Sequence, residues 1–263
     1  MAEGIIDTHA HYDDTAFDAD RDELLKKAGH SIIKEIINIG NTPSSCVETL
    51  ELSRRYENVY AAIGVHPSET GALDEEVFSG LSDMAKKNML RSGSGRVVAI
   101  GEIGLDYHDE SVSRKMQRSW FIRQMELAQR LKLPVSIHSR DAAEDTLSVI
   151  RQFSGKVYGV IHCFSYSKEI AAEYDRLGYA IGIGGVVTFK NSKKIKEVVS
   201  SVPDRQMVLE TDCPYIAPEP HRGTRNTSWN LSYVTAEIAR LRGITEDEVM
   251  RITTENSARI FGL

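Results

Sequence analysis

RVVAIGEI, residues 96–103, is the stretch that decides the fold of this chain. An apolar, β-branched run leads into Glu102, as in a buried strand whose end opens on a polar site. The same arrangement recurs along the sequence. GIID precedes His9, YAAIGV precedes His66, LPVSI precedes His138, YGVI precedes His162 and MVLET precedes Asp212. Five of the eight histidines, His9, His11, His66, His138 and His162, lie within or just beyond such runs, an order that scattered core histidines would not show.

Working outward, eight strand candidates emerge: residues 4–9, 32–40, 59–66, 96–103, 133–138, 157–163, 179–187 and 206–212. Between them lie stretches with apolar residues at three- and four-residue steps, among them RDELLKKAG, SSCVETLELSRRY, AAEDTLSVIRQF and KEIAAEYDRLG. The longest helix is expected over about residues 110–132, and Thr245 with Glu248 reads as a capping box before a closing C-terminal helix. Strand–helix alternation repeated eight times predicts a (β/α)8 barrel, and 263 residues fit one such domain, 1–263.

With 41% hydrophobic and 27% charged residues the chain can fill a core and need not be disordered. A net charge of -6 argues against a generally basic, nucleic-acid-coating surface, but not against a local phosphate site at a metal centre. Cys46, Cys163 and Cys213 are odd in number and far apart, which speaks against a disulfide framework and for a reducing compartment. Strand alternation is expected to aim Cys163 and Cys213 away from the site. The start, MAEGIIDTHAH, has no signal-peptide pattern and no segment suits a membrane span, so a cytoplasmic protein is expected. The N-x-S/T triplets at Asn226 and Asn230 would matter only in a secreted chain.

The strand ends carry metal-ligand chemistry. His9 and His11, two residues apart on a strand, face one way and can share a divalent ion; as an isolated pair they are equally two polar residues at a strand terminus. Glu102 can bridge two ions through its two oxygens, or serve as a salt-bridge partner. His138 and His162 end runs of buried residue types, where an unpaired polar group is costly, and together look like ligands of a second ion. Asp212 shares a strand face with Glu210, so one can bind metal while the other orients ligand or water; a pair of ion-paired acids is the plainer reading. His66 is either a substrate contact or a polar cap before Pro67. Arg222 and Arg225, in the loop after Asp212, suit a phosphate clamp or a solvated loop. Two other motifs fail: Val187 breaks G-x-G-x-x-G in IGIGGV, and Glu23 and Gly29 break a calcium loop begun by Asp18, Asp20 and Asp22.

Read in order, DTHAH, GVHP, GEIGLDY, IHSR, HCFS and ETDCPYIAPEPHRGTRN resemble the TatD family of metal-dependent deoxyribonucleases, from near residue 6 to the C-terminus. The resemblance implies a TIM-barrel hydrolase of the amidohydrolase-like superfamily with a binuclear site. His9, His11, Glu102 and Asp212 would hold one ion, and Glu102, His138 and His162 the other. Tyr166 after HCFS, where the family often has Gly, and Thr227-Ser228 after RN, where it often has Glu-Pro, depart from the pattern in what are taken as substrate loops.

The implied activity is hydrolysis of DNA phosphodiester bonds, as a 3′-5′ exonuclease on single-stranded DNA, by a monomer with two divalent ions, Mg, Mn or Zn. Two ions about 3.5–4 Å apart would acidify a shared water and polarise the phosphate. Asp212 or Glu210 would take the proton, and His66 with Arg222 or Arg225 would hold phosphate oxygens. An amidohydrolase acting on a small ester or amide is the competing enzyme reading, and a metal-dependent binding protein without turnover is the non-enzymatic one.

Overall fold

The computed structural model describes residues 4–90 and 95–263. The expected domain range also includes 1–3 and 91–94, which lie outside the described residues. Eight strands, β1 (Ile5–Ala10), β2 (Ile33–Ile39), β3 (Val59–Ala62), β4 (Val97–Asp106), β5 (Val135–Arg140), β6 (Gly159–Ile161), β7 (Tyr179–Ile183) and β8 (Met207–Leu209), pair in chain order, all parallel. The ring closes just past the end of β8. There the Asp212 amide donates to the His9 carbonyl at 2.9 Å and the His11 amide to the Cys213 carbonyl at 2.8 Å. The fold is the expected (β/α)8 barrel.

Helices α1 (Arg21–Lys27), α2 (Pro43–Arg55), α3 (Glu75–Lys87), α4 (Arg114–Leu131), α5 (Ala143–Gln152), α6 (Lys168–Arg176), α7 (Lys193–Ser201), α8 (Leu231–Arg242) and α9 (Glu246–Phe261) form the outer layer. Local chemistry sets their starts. Thr42 caps α2, with Ser45 bonding back to complete a capping box, and Thr245 accepts from the Glu248 amide at the start of α9. The helix expected over 110–132 begins at Arg114, because Ser113 caps it by accepting from Met116.

Several strands are shorter than their apolar runs. β6 stops at Ile161 and β8 at Leu209, and the chain then turns into the left-handed region at Cys163 (φ 47°) and Asp212 (φ 56°). β3 stops at Ala62, and β7 gives way to a 3-10 turn over Gly185–Thr188. Conversely, β4 runs on to Asp106 and contains an extra residue: Ile100 and Ile103 pair with Val135 and Ile137, only two apart. This bulge re-aims Glu102.

Buried apolar residues form a large cluster, including Ile36, Phe121, Ile137 and Ile161, and a smaller one containing Ile37, Ile39, Val98, Val160, Ala180 and Val208 with Ile260 and Phe261 of α9. His162 and Glu210 stand two residues on from Val160 and Val208. The period of two therefore places this polar layer over the smaller apolar cluster.

Candidate metal centre

Glu102 is buried at 4% exposure, and its two oxygens face different groups of imidazoles. Oε1 lies 3.0 Å from His138 Nδ1, 3.0 Å from His162 Nε2 and 3.8 Å from His66 Nε2. Oε2 lies 3.7 Å from His9 Nε2 and 3.9 Å from His11 Nε2. Asp212 Oδ1 completes the second group, 3.8 Å from His9 Nε2 and 3.5 Å from His11 Nε2. The structure thus brings together all six expected ligands, carried from β1, β4, β5 and the segments just after β1, β6 and β8, with His66 beside them.

The outward nitrogens have partners that orient the rings. His11 Nδ1 donates to the Ile39 carbonyl at 2.9 Å, so Nε2 is the nitrogen that faces inward. His9 Nδ1 meets Ser136 Oγ at 3.1 Å. His138 Nε2 meets Asp106 Oδ2 at 3.1 Å, leaving Nδ1 inward. His162 Nδ1 has no hydrogen-bond partner among the described residues, but Glu210 Oε1 lies 3.7 Å away.

Two buried imidazole nitrogens, on His9 and His11, point at each other across 3.2 Å. Among the described residues no Lys or Arg ion-pairs with Glu102, Asp106, Glu210 or Asp212. The chemistry of this donor set, buried imidazoles and carboxylates without a paired base, fits divalent metal. Metal-free, it draws protons. Burial opposes charge on His11 and His138, yet Asp212 beside His11, and Asp106 with Glu102 beside His138, lift both to about 9. Burial raises the Glu102 carboxyl, but the charges of His162 and His66 and hydrogen bonds from His138 and His162 hold it well below its usual range.

His66 is a polar cap before Pro67, and its ring also lines the cavity. Its Nδ1 accepts from the Ser68 amide at 3.2 Å, capping the 3-10 turn Pro67–Ala72, while Nε2 points toward Glu102. Burial lowers its pKa to about 4, so the ring is neutral near pH 7, with the proton on the inward Nε2.

Other placements differ from the expectations. Glu210 does not line the open cavity: its carboxylate accepts from the Cys163 amide behind His162. Burial pushes it up to about 7. β8 ends before Glu210, and the turn at Asp212 breaks the alternation that would have put both acids on one face. Cys163 lines the cavity instead of facing the helices, because its left-handed backbone breaks the same alternation. Arg225 is drawn away to Asp20, at 2.8 Å, and stacks on Phe17; Arg222 stacks on Phe189 at 4.4 Å. Neither lines the cavity, where Arg140 supplies the guanidinium among the described residues. Tyr166 and Ser228 also lie behind it: Tyr166 bonds Ser139 at 3.0 Å, and Ser228 donates to buried Asp7 at 2.6 Å.

Asp106, Gln117 and Gln124 escaped the sequence reading. The two glutamines lie seven residues apart on α4, on its buried face. The Gln117 amide accepts from the Asp106 N–H and donates to the Asp106 carbonyl, both at 2.9 Å. Gln124 does the same for Val65, at 2.9 and 3.1 Å. One helix thereby fixes the backbone that presents both Asp106 and His66. The available signal was two amides within the apolar stripe of α4, and the Asp of GEIGLD at the end of its strand.

The cavity over these groups has a volume of about 420 Å³, and Asn41, Ser165, Tyr215 and Ile216 add to its wall. A (β/α)8 scaffold with carboxylates and imidazoles gathered at the carboxyl end of its strands defines a metal-dependent hydrolase. A family model described as TatD related DNase matches residues 6–262, and the chain belongs to that family. It is 37% identical over 258 residues to Uncharacterized metal-dependent hydrolase YabD of Bacillus subtilis, covering 98% of each chain. It is 31% identical to Deoxyribonuclease TATDN3 of Homo sapiens, over 98% of this chain and 94% of that one. The crystal structure of YJJV, a TatD homolog from Escherichia coli, superposes with a TM-score of 0.90 at 28% identity, over 98% of each chain.

Proposed function

We propose that this chain, as one domain over 1–263, hydrolyses phosphodiester bonds of DNA, acting as a 3′-5′ exonuclease on single-stranded DNA with two divalent ions, Mg, Mn or Zn. The division of donors between the two Glu102 oxygens carries the two-ion reading: Oε2 with His9, His11 and Asp212, Oε1 with His138 and His162. Bound there, the ions would supply Lewis acidity and an acidified water.

The chain's own groups do the rest. Asp212, at the cavity wall, accepts the proton of the attacking water. Glu210 sets the orientation of His162 from behind. The His66 Nε2–H donates to a phosphate oxygen, and Arg140 offers charge to the phosphate as negative charge develops. DNA is favoured as substrate by the name of the human relative and the family description, and the reading places Arg222 and Arg225 outside the phosphate clamp. In this reading the acting unit is a monomer. Three free cysteines suit a reducing, cytoplasmic setting, and no helix of the described residues is long and apolar enough to cross a membrane.

The test is hydrolysis of 3′-labelled single-stranded DNA with Mg, Mn and Zn titrated in turn, beside a His138→Ala, His162→Ala variant. Metal-dependent stepwise loss of label, absent in the variant, is expected. A metal-loaded protein inert on DNA but active on a small ester or amide would replace this reading with the amidohydrolase one.

A further inference from the structure

Helices α1, α3, α5, α6 and α9 carry acidic residues in their first turn, which complement the positive helix terminus, whereas α4 begins with Arg114 and Lys115. Helix α7 also begins with two basic residues, Lys193 and Lys194, and here a third, Lys190, precedes it in the loop after β7. All three are exposed, at a helix end that repels them. Nearby acids do not neutralise them: Glu197, one turn on, pairs with Lys168, and Glu237 pairs with Lys196 and Arg240. In a chain of net charge -6, three exposed lysines close together in sequence make a local reversal of sign.

Its position links it to the cavity. In a (β/α)8 barrel the loop after β7 and the start of α7 lie at the carboxyl end of the strands, where the metal ligands are. The loop is fastened to the one after β8: Thr188 Oγ1 accepts from the Glu219 amide at 2.9 Å, and Arg222 lies over the Phe189 ring. Ile216 in that second loop lines the cavity, and beside it Tyr215 stands 51% exposed, its ring 6.3 Å from that of His11. On the other side of Tyr215, whose hydroxyl donates to Asp14, the β1–α1 connection carries Asp13, Asp14, Asp18 and Asp20. Asp18 and Asp20 there are paired with Arg21 and Arg225, so Asp13 and Asp14 are the acids on that side of the lip, opposite the lysines of the β7 loop.

We infer that Lys190, Lys193 and Lys194, with Arg222 stacked on Phe189, form a track that holds the phosphates of a single-stranded nucleic acid beyond the nucleotide in the cavity. Tyr215, at the lip, gives a base a ring to stack on. The inference rests on the polynucleotide reading above, and it makes chain length a determinant of affinity.

The experiment measures anisotropy of labelled oligothymidylate of about twenty nucleotides, with a dinucleotide as competitor reference, across a salt series. Wild type is compared with variants replacing all three lysines by Gln, by Glu or by Arg. The ratio of affinities, long over short, is expected to fall ~tenfold for Gln and further for Glu, with the salt slope reduced by about 2 and restored by Arg. A ratio and slope unchanged in the Gln and Glu variants overturns the track. Binding that depends on the lysines without any cleavage of the oligonucleotide overturns the nuclease reading and leaves the track standing.

Discussion

His138 is held between two carboxylates, its Nδ1 3.0 Å from Glu102 Oε1 and its Nε2 3.1 Å from Asp106 Oδ2. Burial raises the Asp106 carboxyl, but the hydrogen bond and charge of His138 hold it at about 2, so it stays a carboxylate and fixes which nitrogen turns inward. Replacing Asp106 by Ala should weaken binding of an ion by about 10–100-fold while the fold persists, with Asp106→Asn between the two. Calorimetric titration of stripped protein with Mn or Zn reads this directly. An affinity equal to wild type in the Ala variant would remove Asp106 from the centre.

Glu102 separates the two donor groups, so no other side chain can replace both of its oxygens. Glu102→Ala is expected to bind less than one ion per chain, against two in wild type, when metal content is measured on dialysed protein. Full metal content and activity in that variant would sink the two-ion arrangement.

Metal binding should release protons. Both His11 and His138 have folded pKa values raised to about 9, above the ordinary imidazole value, so each is protonated in the metal-free protein near pH 7. An incoming ion displaces those protons, so affinity rises with pH and levels off above about 9. For the metal-free fold, the stability these raised values contribute is fully present below the unfolded imidazole pKa and is lost as pH climbs through about 9. Calorimetry in buffers of different ionisation enthalpy near pH 7 should show roughly two protons released per chain loaded. A value near zero would contradict the protonation described.

Gln124 bonds both backbone groups of Val65 from a buried position on α4. Gln124→Ala leaves that amide and carbonyl unsatisfied, and is expected to cost about 1–3 kcal/mol in urea unfolding. It should also loosen His66, read as a rise in KM. An unchanged midpoint would show the pair of bonds to be dispensable.

Gly182 lies against Glu210, and a methyl group placed there would overlap the carboxylate. Gly182→Ala should push Glu210 off His162 and destabilise the fold by roughly 1–3 kcal/mol. The comparison is with Gly178→Ala, where nothing lies within 4 Å but φ is +84°, a cost of backbone alone. Equal losses from the two would mean that Glu210 is free to move.

The eight-unit alternation, and the gathering of His9, His11, Glu102, His138, His162 and Asp212 at one site, were legible in the sequence. Each stands at the end of an apolar run, and a barrel brings such ends to one place. What periodicity alone could not yield is what happens once the chain leaves the strand. The left-handed turns at Cys163 and Asp212 reset the alternation, bringing Cys163 to the cavity and setting Glu210 behind His162. Arg225 was a phosphate candidate by composition, but Asp20, 205 residues away, captures it. Asp106 and the two α4 glutamines look ordinary as letters, since their role depends on which backbone they meet. Strand and helix periods are local properties that residue types carry with them, whereas partners of buried polar groups are chosen only when distant segments close on one another and every donor must find an acceptor.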